Sequence, residues 1–439
     1  MFAKSLDFTE ISRHRFLLGK ERLIMKKTGK FIAMALSAVM AAGLAGCGGT
    51  STDTASSSSS QSGDTVKVGI LYSATGSMAI SEGAVKDAEV LAINEINAAG
   101  GVNGKQIEYI AEDGASEPST FATKAEKLID QDKVTTVFGC WTSASRKAVK
   151  PVFEDYGNLL WYPIQYEGME SSPNIIYTGA APNQQCVPAI DYLIEQGYKK
   201  FFLLGSDYVF PRTANMIINA QCKAKGVEVV GEEYAQMDQT DFGAIISKIE
   251  AAKPDVIINT LNGTGNLSFF KQMAEKNYTS DDYMTMSFSI AEEEVKTIGA
   301  DILKGHMTAW NYYMTTDTPE NEKFVKAYQD AYGASRVTSD PAEAAYDAVY
   351  LWKAAAEKAG SFDAADIIKA VEDGGISYDA PEGTVTLDGE NHHLVKPVRI
   401  GVVGEDGKIK AVKETSPVKP DPFLKTYDWA VAANLQPVE

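Results

Sequence analysis

The sequence predicts an α/β fold of two lobes, each a parallel sheet flanked by helices, joined by three hinge crossings. From residue 66 to residue 277, short apolar runs typical of buried strands alternate with segments whose apolar residues recur at helical spacing. Alternation of this length is typical of parallel sheets covered by helices. The roughly 375 residues from position 65 to the end of the chain exceed one hydrophobic core, which favours two lobes.

Each predicted element rests on its apolar pattern and on the glycines or prolines that bound it. The predicted strands are 66–72, 107–110, 134–138, 159–162, 201–204, 227–234 and 256–261. The predicted helices are 83–99, 119–129, 145–156, 183–196, 213–225, 241–252 and 267–277, followed by 321–332, 342–359 and 364–373.

The lobes are expected to be discontinuous along the chain. We assign 65–183 and 311–372 to lobe 1, and 184–310 and 373–439 to lobe 2. The hairpins near 383–389 and 398–407 therefore belong to lobe 2 in this prediction, after a third crossing. Two α/β lobes joined in this way place a ligand cleft between them.

The N-terminal segment is predicted to be an export signal and an anchor. Residues 1–46 form a signal peptide whose basic region begins at Met25, which we expect to be the true start. The apolar run 31–44 is too short to span a membrane, and the small residues before Cys47 resemble a bacterial lipobox. We therefore expect a lipidated Cys47, a Ser/Gly-rich tether over 47–64, and a protein anchored outside the cytoplasm.

Composition excludes several classes of function. The formal net charge of -18 disfavours nucleic acid as a partner. Beyond Cys47 only Cys140, Cys186 and Cys222 remain, too few for a disulfide framework and at spacings that match no zinc site. We predict no metal and no cofactor.

Two loops of the predicted first lobe carry the residues of a polar pocket. Trp141, Thr142 and Ser143 follow one strand, and Tyr162 and Gln165 follow the next. In an open parallel sheet, ligands bind beyond the carboxyl ends of the strands. Hydroxyls, an amide and large aromatic rings are suited to a small, uncharged, polar ligand.

The second lobe supplies a matching loop, in which Asp207, Tyr208 and Phe210 follow the strand 201–204. Further strand ends at 261–266 and 288–292 are expected to face the same cleft. Cys140 is the one candidate nucleophile here, and an extracellular amidohydrolase using it stays an alternative. No histidine is near it in sequence, so we predict a protein that is not an enzyme.

Four motifs resemble the type I periplasmic binding proteins, the Venus-flytrap fold, and most of all the urea and short-chain amide branch of the branched-chain amino acid receptors. They lie at 139–149, 162–168, 205–212 and 420–422, within a resemblance that runs from residue 66 to residue 429. The chain departs from the amide-sensing relatives at Trp141, Ile164, Gln165 and Phe210. The form with Trp141 and Gln165 is the one associated with urea.

The resemblance implies capture of urea between the lobes and delivery to an inner-membrane ABC permease and its ATPase, with membrane contact only through the N-terminal lipid. Urea presents one acceptor oxygen and four N–H donors. We expect the Ser143 hydroxyl and neighbouring backbone N–H groups to serve the oxygen. The remaining predicted contacts are acceptors for the N–H groups, namely Tyr162, Tyr208, Gln165 and Asp207, and the walls Trp141 and Phe210.

Two other ligand classes stay open. Short-chain amides would use the same pocket, and a branched-chain amino acid would need a carboxylate such as Asp207 or Glu292 for its ammonium. Because the ligand is neutral and the loops lack histidine, we expect urea binding to change little between pH 6 and pH 8.

Overall fold

The computed structural model describes residues 65–436 and residue 438. Its architecture is the predicted two-lobed α/β fold, with two sheets flanked by helices. The strands are β1 (Thr65–Tyr72), β2 (Gln106–Asp113), β3 (Val137–Gly139), β4 (Leu160–Tyr162), β5 (Ile175–Tyr177), β6 (Lys200–Ser206), β7 (Glu228–Ala235), β8 (Val256–Thr260), β9 (Thr285–Ser287), β10 (Met307–Trp310), β11 (Ser377–Ala380), β12 (Gly383–Asp388), β13 (His393–Val395), β14 (Arg399–Val403) and β15 (Ile409–Glu414).

The α-helices in the described residues are α1 (Ala79–Ala98), α2 (Pro118–Glu126), α3 (Ser143–Tyr156), α4 (Cys186–Glu195), α5 (Val209–Lys225), α6 (Gly243–Ala252), α7 (Thr264–Glu275), α8 (Glu292–Ile298), α9 (Ala300–Leu303), α10 (Pro319–Tyr332), α11 (Asp340–Ala359), α12 (Ala364–Glu372) and α13 (Asp428–Ala433). Ten of these α-helices correspond to predicted helices, whereas α8, α9 and α13 were not predicted. Helix α2 continues into a π-helical turn at Lys127–Gln131. The long helices α1 and α11 pack against each other beside the first sheet.

Both sheets are parallel in the middle and antiparallel at one edge. The first has the order β11-β12-β13-β5-β4-β3-β1-β2, and the second β15-β14-β10-β9-β8-β6-β7. Strand β1 pairs in parallel with β2 and with β3, and its side chains from Val68 to Tyr72 are buried on both faces. Continuous burial is expected where helices cover both faces of a parallel sheet.

The hairpin β11–β12 does not lie where the sequence analysis placed it. It was expected in the second lobe, but β12 pairs with β13, and β13 pairs in parallel with β5 of the first sheet. The side chains of Val385 and Leu387 complete the first core. Hairpin patterns report local pairing only, and the sheet that a hairpin extends is decided by such long-range packing. The second predicted hairpin, β14–β15, does lie in the second sheet.

The chain passes between the sheets three times, after β5, β10 and β13. Asn311, in the second of these crossings, forms hydrogen bonds to the other two. Its side-chain Nδ2 donates to the Gln184 carbonyl at 3.0 Å and to the Pro397 carbonyl at 2.6 Å. The hinge is therefore a buried, hydrogen-bonded junction.

Candidate functional site

The predicted loops meet where the carboxyl ends of the central strands of both sheets face each other. Gln165, after β4, donates from Nε2 to the carbonyl of Phe288, which follows β9, at 3.0 Å. Helices α3 and α5, which begin directly after the predicted loops, also contact each other. The lobes are therefore in direct contact at the site that the sequence predicted.

The turn into α3 requires unusual backbone geometry. Gly139 has φ of 154°, and a Cβ there would lie 2.4 Å from the Leu71 carbonyl oxygen. Cys140 follows with φ of 66°, in the left-handed region. Thr142 then caps the helix by accepting a hydrogen bond from the Ser145 N–H at 3.0 Å. This turn buries the side chains of Trp141 and Ser143 and places the Trp141 carbonyl against the Tyr162 hydroxyl.

The Cys140 thiol has the properties of a structural residue. It is fully buried, and burial together with the nearby Glu82 raises the pKa of the thiol well above its ordinary value. A thiol that stays protonated is a poor nucleophile. The geometry therefore does not favour the amidohydrolase alternative.

Tyr162 lies at the end of β4 and is completely buried. Its hydroxyl donates to the Trp141 carbonyl at 2.6 Å. The proton of this hydroxyl is thus used within the protein, and only lone pairs remain for a ligand. Tyr162 is therefore able to accept a hydrogen bond, and its contact with a ligand N–H stays a prediction.

Ser143 belongs to a buried ionic network that the sequence analysis did not identify. Its hydroxyl donates to Glu167 Oε2 at 2.5 Å and accepts from the Arg146 guanidinium at 2.9 Å. Arg146 also bonds Glu167 Oε1 at 2.8 Å and Glu170 Oε1 at 2.9 Å. The guanidinium lies over the ring of Tyr162, with the Arg146 Cζ 4.9 Å from the ring centroid.

The positive side chains of the network stabilise the ionised form of Glu170. Burial acts to raise the pKa of the Glu170 carboxyl, but the charges and hydrogen bonds of Arg146 and Lys147 together outweigh this and lower it to about 2. The side chains of Arg146 and Glu167 are 0% exposed. All three nitrogens of the guanidinium bond protein oxygens, and two carboxylates balance its charge. Arg146, Glu167 and Glu170 lie inside or beside the two loop motifs, yet their pairing depends on tertiary contact.

Tyr208 and Phe210 approach this network from the second lobe. Their ring centroids are 6.3 Å apart, and Phe210 is buried in the first turn of α5. Burial raises the pKa of the Tyr208 phenol, and Tyr162 and Glu167 of the first lobe raise it further. Tyr208 is therefore close enough to the first lobe for groups there to change the pKa of its phenol.

Asp207 does not join the other predicted residues. Its side chain is 29% exposed and binds Arg212, with 2.6 Å between Oδ1 and Nε. The second oxygen accepts from Gln236 at 3.1 Å. The sequence analysis predicted a ligand contact here, but both oxygens already have partners on the second lobe. Arg212, five residues further on, is the competing partner that the analysis overlooked.

Glu82, on α1, is a candidate that the sequence analysis missed. It is 1% exposed, and the Ser73 N–H, just after β1, donates to Oε2. Its other oxygen, Oε1, is buried without a hydrogen-bond partner among the described residues. Burial raises the pKa of this carboxyl to about 8, and Glu82 in turn raises the pKa of the Tyr208 phenol. In the sequence Glu82 is an ordinary polar residue at the start of a helix.

Gln165 presents a buried hydrogen-bond acceptor. Its Nε2 is fixed by the Phe288 carbonyl, which can only accept, so Oε1 is the free end of the amide. Among the described residues Oε1 has no hydrogen-bond partner. Gln165 Oε1 is therefore a further acceptor beside Ser143 and Tyr162.

The comparisons with known proteins agree with this architecture. The family model described as "Periplasmic binding protein domain" matches residues 66–428. The chain therefore belongs to the periplasmic binding protein domain family. The relatives are solute-binding proteins of ABC transporters, and this chain is an extracytoplasmic solute-binding protein of the same family.

Individual relatives are distant but cover much of the chain. A Leu/Ile/Val-binding protein homolog 6 of Brucella melitensis is 25% identical over 297 residues, covering 66% of this chain and 75% of that protein. The Leu/Ile/Val-binding protein BraC3 of Rhizobium johnstonii is 27% identical over 361 residues, covering 79% and 94%. A solute-binding protein of an ABC transporter from R. palustris, solved in complex with 4-hydroxybenzoate, is 25% identical with a TM-score of 0.75, covering 82% and 100%.

The described residues contain no helix long and apolar enough to cross a bilayer. The predicted signal peptide, Cys47 and the tether lie outside the described residues. Their roles stay predictions from the sequence.

Proposed function

We propose that this protein is a lipid-anchored receptor that captures urea between its lobes and presents it to an inner-membrane ABC permease. The cleft residues are Trp141, Thr142, Ser143, Tyr162, Gln165, Tyr208 and Phe210, with Glu82 added from the structure. Cys47 carries the lipid in this proposal, and the ligand-binding body extends from residue 65 onward.

One observation carries the choice of a ligand rich in N–H groups. The Ser143 hydroxyl has a single proton, which it donates to Glu167, and it accepts a bond from Arg146. What the hydroxyl has left for a ligand is a lone pair. Ser143 is thus an acceptor, whereas the sequence analysis expected it to donate to the ligand oxygen.

Other groups nearby are also hydrogen-bond acceptors. Tyr162 donates its proton to the Trp141 carbonyl, and Gln165 Oε1 is a buried acceptor without a partner among the described residues. Urea offers four N–H donors to such a site. Its single oxygen can bind backbone N–H groups at the start of α3, which have no partner within the helix. Each buried group left unsatisfied would cost about 1–3 kcal/mol, so this complementarity favours urea.

A receptor for an amino acid or an aromatic acid is the second candidate, and the names of the relatives support it. A Leu/Ile/Val-binding relative and a structure holding 4-hydroxybenzoate point to ligands with a carboxylate. In this chain such a carboxylate would face the lone pair of Ser143 and the neighbouring Glu167, while Arg146 is already paired. Short-chain amides, which have fewer N–H donors, fit the acceptors less completely than urea.

Substitution of Ser143 tests the proposal. Ser143→Ala removes an acceptor for a ligand N–H and should weaken urea binding by roughly tenfold or more, in keeping with about 1–3 kcal/mol for a buried hydrogen bond. Ser247→Ala, in which an exposed hydroxyl bonded within its own helix is removed, is the matched control. Unchanged urea affinity in a folded Ser143→Ala protein would remove Ser143 from the site.

A further inference from the structure

A group of buried carboxylates lies beside the hinge, away from the solute site. Glu343 and Asp347 are one turn apart on α11, and Glu382 lies in the turn between β11 and β12. One carboxylate oxygen from each lies within 4.8 Å of the others. Their exposed fractions are 0%, 0% and 2%.

One positive side chain reaches this group. Lys396 is fully buried, and its Nζ lies 3.1 Å from Glu382 Oε1 and 3.1 Å from the Thr178 carbonyl. Its charge balances one carboxylate of three. Asp340 is nearby, but its Oδ2 is held separately by the backbone N–H groups of Asn311 and Tyr312.

Asp347 is the second, independent indication of a ligand. Neither of its oxygens has a hydrogen-bond partner among the described residues, although the side chain is completely buried. Glu343 Oε2 also has no hydrogen-bond partner among the described residues, whereas Glu343 Oε1 accepts from the Glu382 N–H at 2.9 Å. A buried carboxylate without any partner is too costly to hold its charge unless a cation or a proton neutralises it.

We propose that Glu343, Asp347 and Glu382 bind one divalent cation, and that the cation is Ca²⁺. Three carboxylates less one ammonium leave two negative charges, which a divalent ion neutralises. The ligands are all hard oxygens, which Ca²⁺ and Mg²⁺ prefer. The three oxygens lie within 4.8 Å of one another, so a single ion can contact all of them. The group is closed to solvent, and Mg²⁺ gives up its water reluctantly whereas Ca²⁺ is readily held by protein oxygens alone, which favours Ca²⁺.

An ion bound at this position would affect the structure of the hinge. Lys396 begins the third crossing, and through Thr178 it holds the segment that follows β5 at the first crossing. Fixing Glu382 and Lys396 therefore fixes the segments about which the lobes move. Bound Ca²⁺ should stabilise the hinge without contacting the solute.

The test uses the complete protein stripped with EDTA and dialysed against metal-free buffer. After equilibration with micromolar Ca²⁺, mass spectrometry should find about one Ca²⁺ per chain. At 1 mM Ca²⁺, a concentration on the order of a hundred times the Kd of a moderate site, the melting temperature should rise by about 3 °C or more. Asp347→Asn should lose both effects, whereas Asp330→Asn, on an exposed helix face, should keep them.

Two results would overturn the proposal. Wild-type protein without bound Ca²⁺ and without a melting shift would show that protons neutralise the carboxylates. An equal shift with 1 mM Mg²⁺ would remove the assignment to Ca²⁺. If Asp347→Asn fails to fold, the stoichiometry of the wild-type protein decides alone.

Discussion

At the scale of single residues, the direction of a hydrogen bond decides what the site can bind. Ser143 would suit a carboxylate ligand if its proton were free, but Glu167 uses that proton. The sequence predicted Ser143, Tyr162 and Tyr208 as polar groups at strand ends. It could not predict that Ser143 accepts, because this depends on Arg146 and Glu167 meeting across two loops.

Removing the Tyr208 hydroxyl tests the contribution of the second lobe. Tyr208→Phe keeps the ring, and if the hydroxyl bonds urea the affinity should fall roughly ten- to a hundredfold, or about 1–3 kcal/mol. Calorimetry on the folded variant measures this. Wild-type affinity in Tyr208→Phe would exclude the hydroxyl from the site.

Trp141 should limit the size of the ligand. Trp141→Ala removes a buried indole and opens space on the order of a hundred cubic ångströms, in a class of pockets of a few hundred. We expect weaker urea binding together with relaxed exclusion of larger amides. Parallel melting and binding measurements separate this from a core defect, which would lower the melting temperature without changing selectivity.

Glu82 alters the expected dependence on pH. Its pKa in the folded protein is about 8, against an ordinary value of 4.5. The folded state therefore keeps a proton that the unfolded state has lost, and the stabilising contribution, complete below pH 4.5, is lost as the pH rises to about 8. The loss is at most about 1.4 kcal/mol per pH unit.

The matching experiment compares melting temperatures from pH 5 to pH 8.5 without ligand. The stability of Glu82→Gln should fall less steeply with pH than that of the wild type. The buried His306 and His393 are common to both proteins, so the difference in slope isolates Glu82. Parallel curves would show that Glu82 titrates normally. If urea N–H groups bind the carboxylate, urea affinity should also increase toward pH 8, contrary to the prediction from sequence alone.

At the scale of elements, the ends of strands were predictable and the faces of helices were not. The motifs after β3, β4 and β6 carry their polar residues in sequence, so their position at the ends of strands could be predicted. Glu82 lies on α1 with no local signal. Asp207 follows a strand end, where the sequence predicts a ligand contact, but it pairs with Arg212, five residues further on.

Helices α1 and α8 provide a contact that should hold the lobes closed. The Ser81 hydroxyl on α1 donates to Glu294 Oε1 on α8 at 2.8 Å, and both side chains are buried. Ser81→Ala leaves a buried carboxylate oxygen without its donor in the closed state only. Urea dissociation, measured by stopped flow, should be roughly tenfold faster or more. A dissociation rate equal to that of Ser247→Ala would show that this contact does not stabilise closure.

At the scale of the whole molecule, the two-lobed α/β fold and the three crossings result from the alternation of strands and helices. The prediction failed for the hairpin β11–β12, which extends the first sheet through β13 and β5. The pairing of β13 with β5 joins residues over 200 positions apart. Local periodicity carries no information about such a pairing.

The N-terminal prediction is tested on intact cells. Cys47→Ala should release the protein from membranes and leave urea affinity unchanged, because the lipid and the cleft belong to separate parts of the chain. Fractionation after a salt wash, with immunodetection, gives the distribution. Continued sedimentation with membranes would contradict anchoring through Cys47.

In the proposed function the cleft selects a neutral ligand rich in N–H donors, because Ser143, Tyr162 and Gln165 offer acceptors. The most direct measurement is calorimetric titration of residues 65–439 with urea, and separately with acetamide, leucine and 4-hydroxybenzoate. We predict saturable binding of urea at one site per chain, weaker binding of acetamide, and no binding of the two carboxylates at the same concentrations. Saturable binding of leucine or 4-hydroxybenzoate without binding of urea would contradict the account.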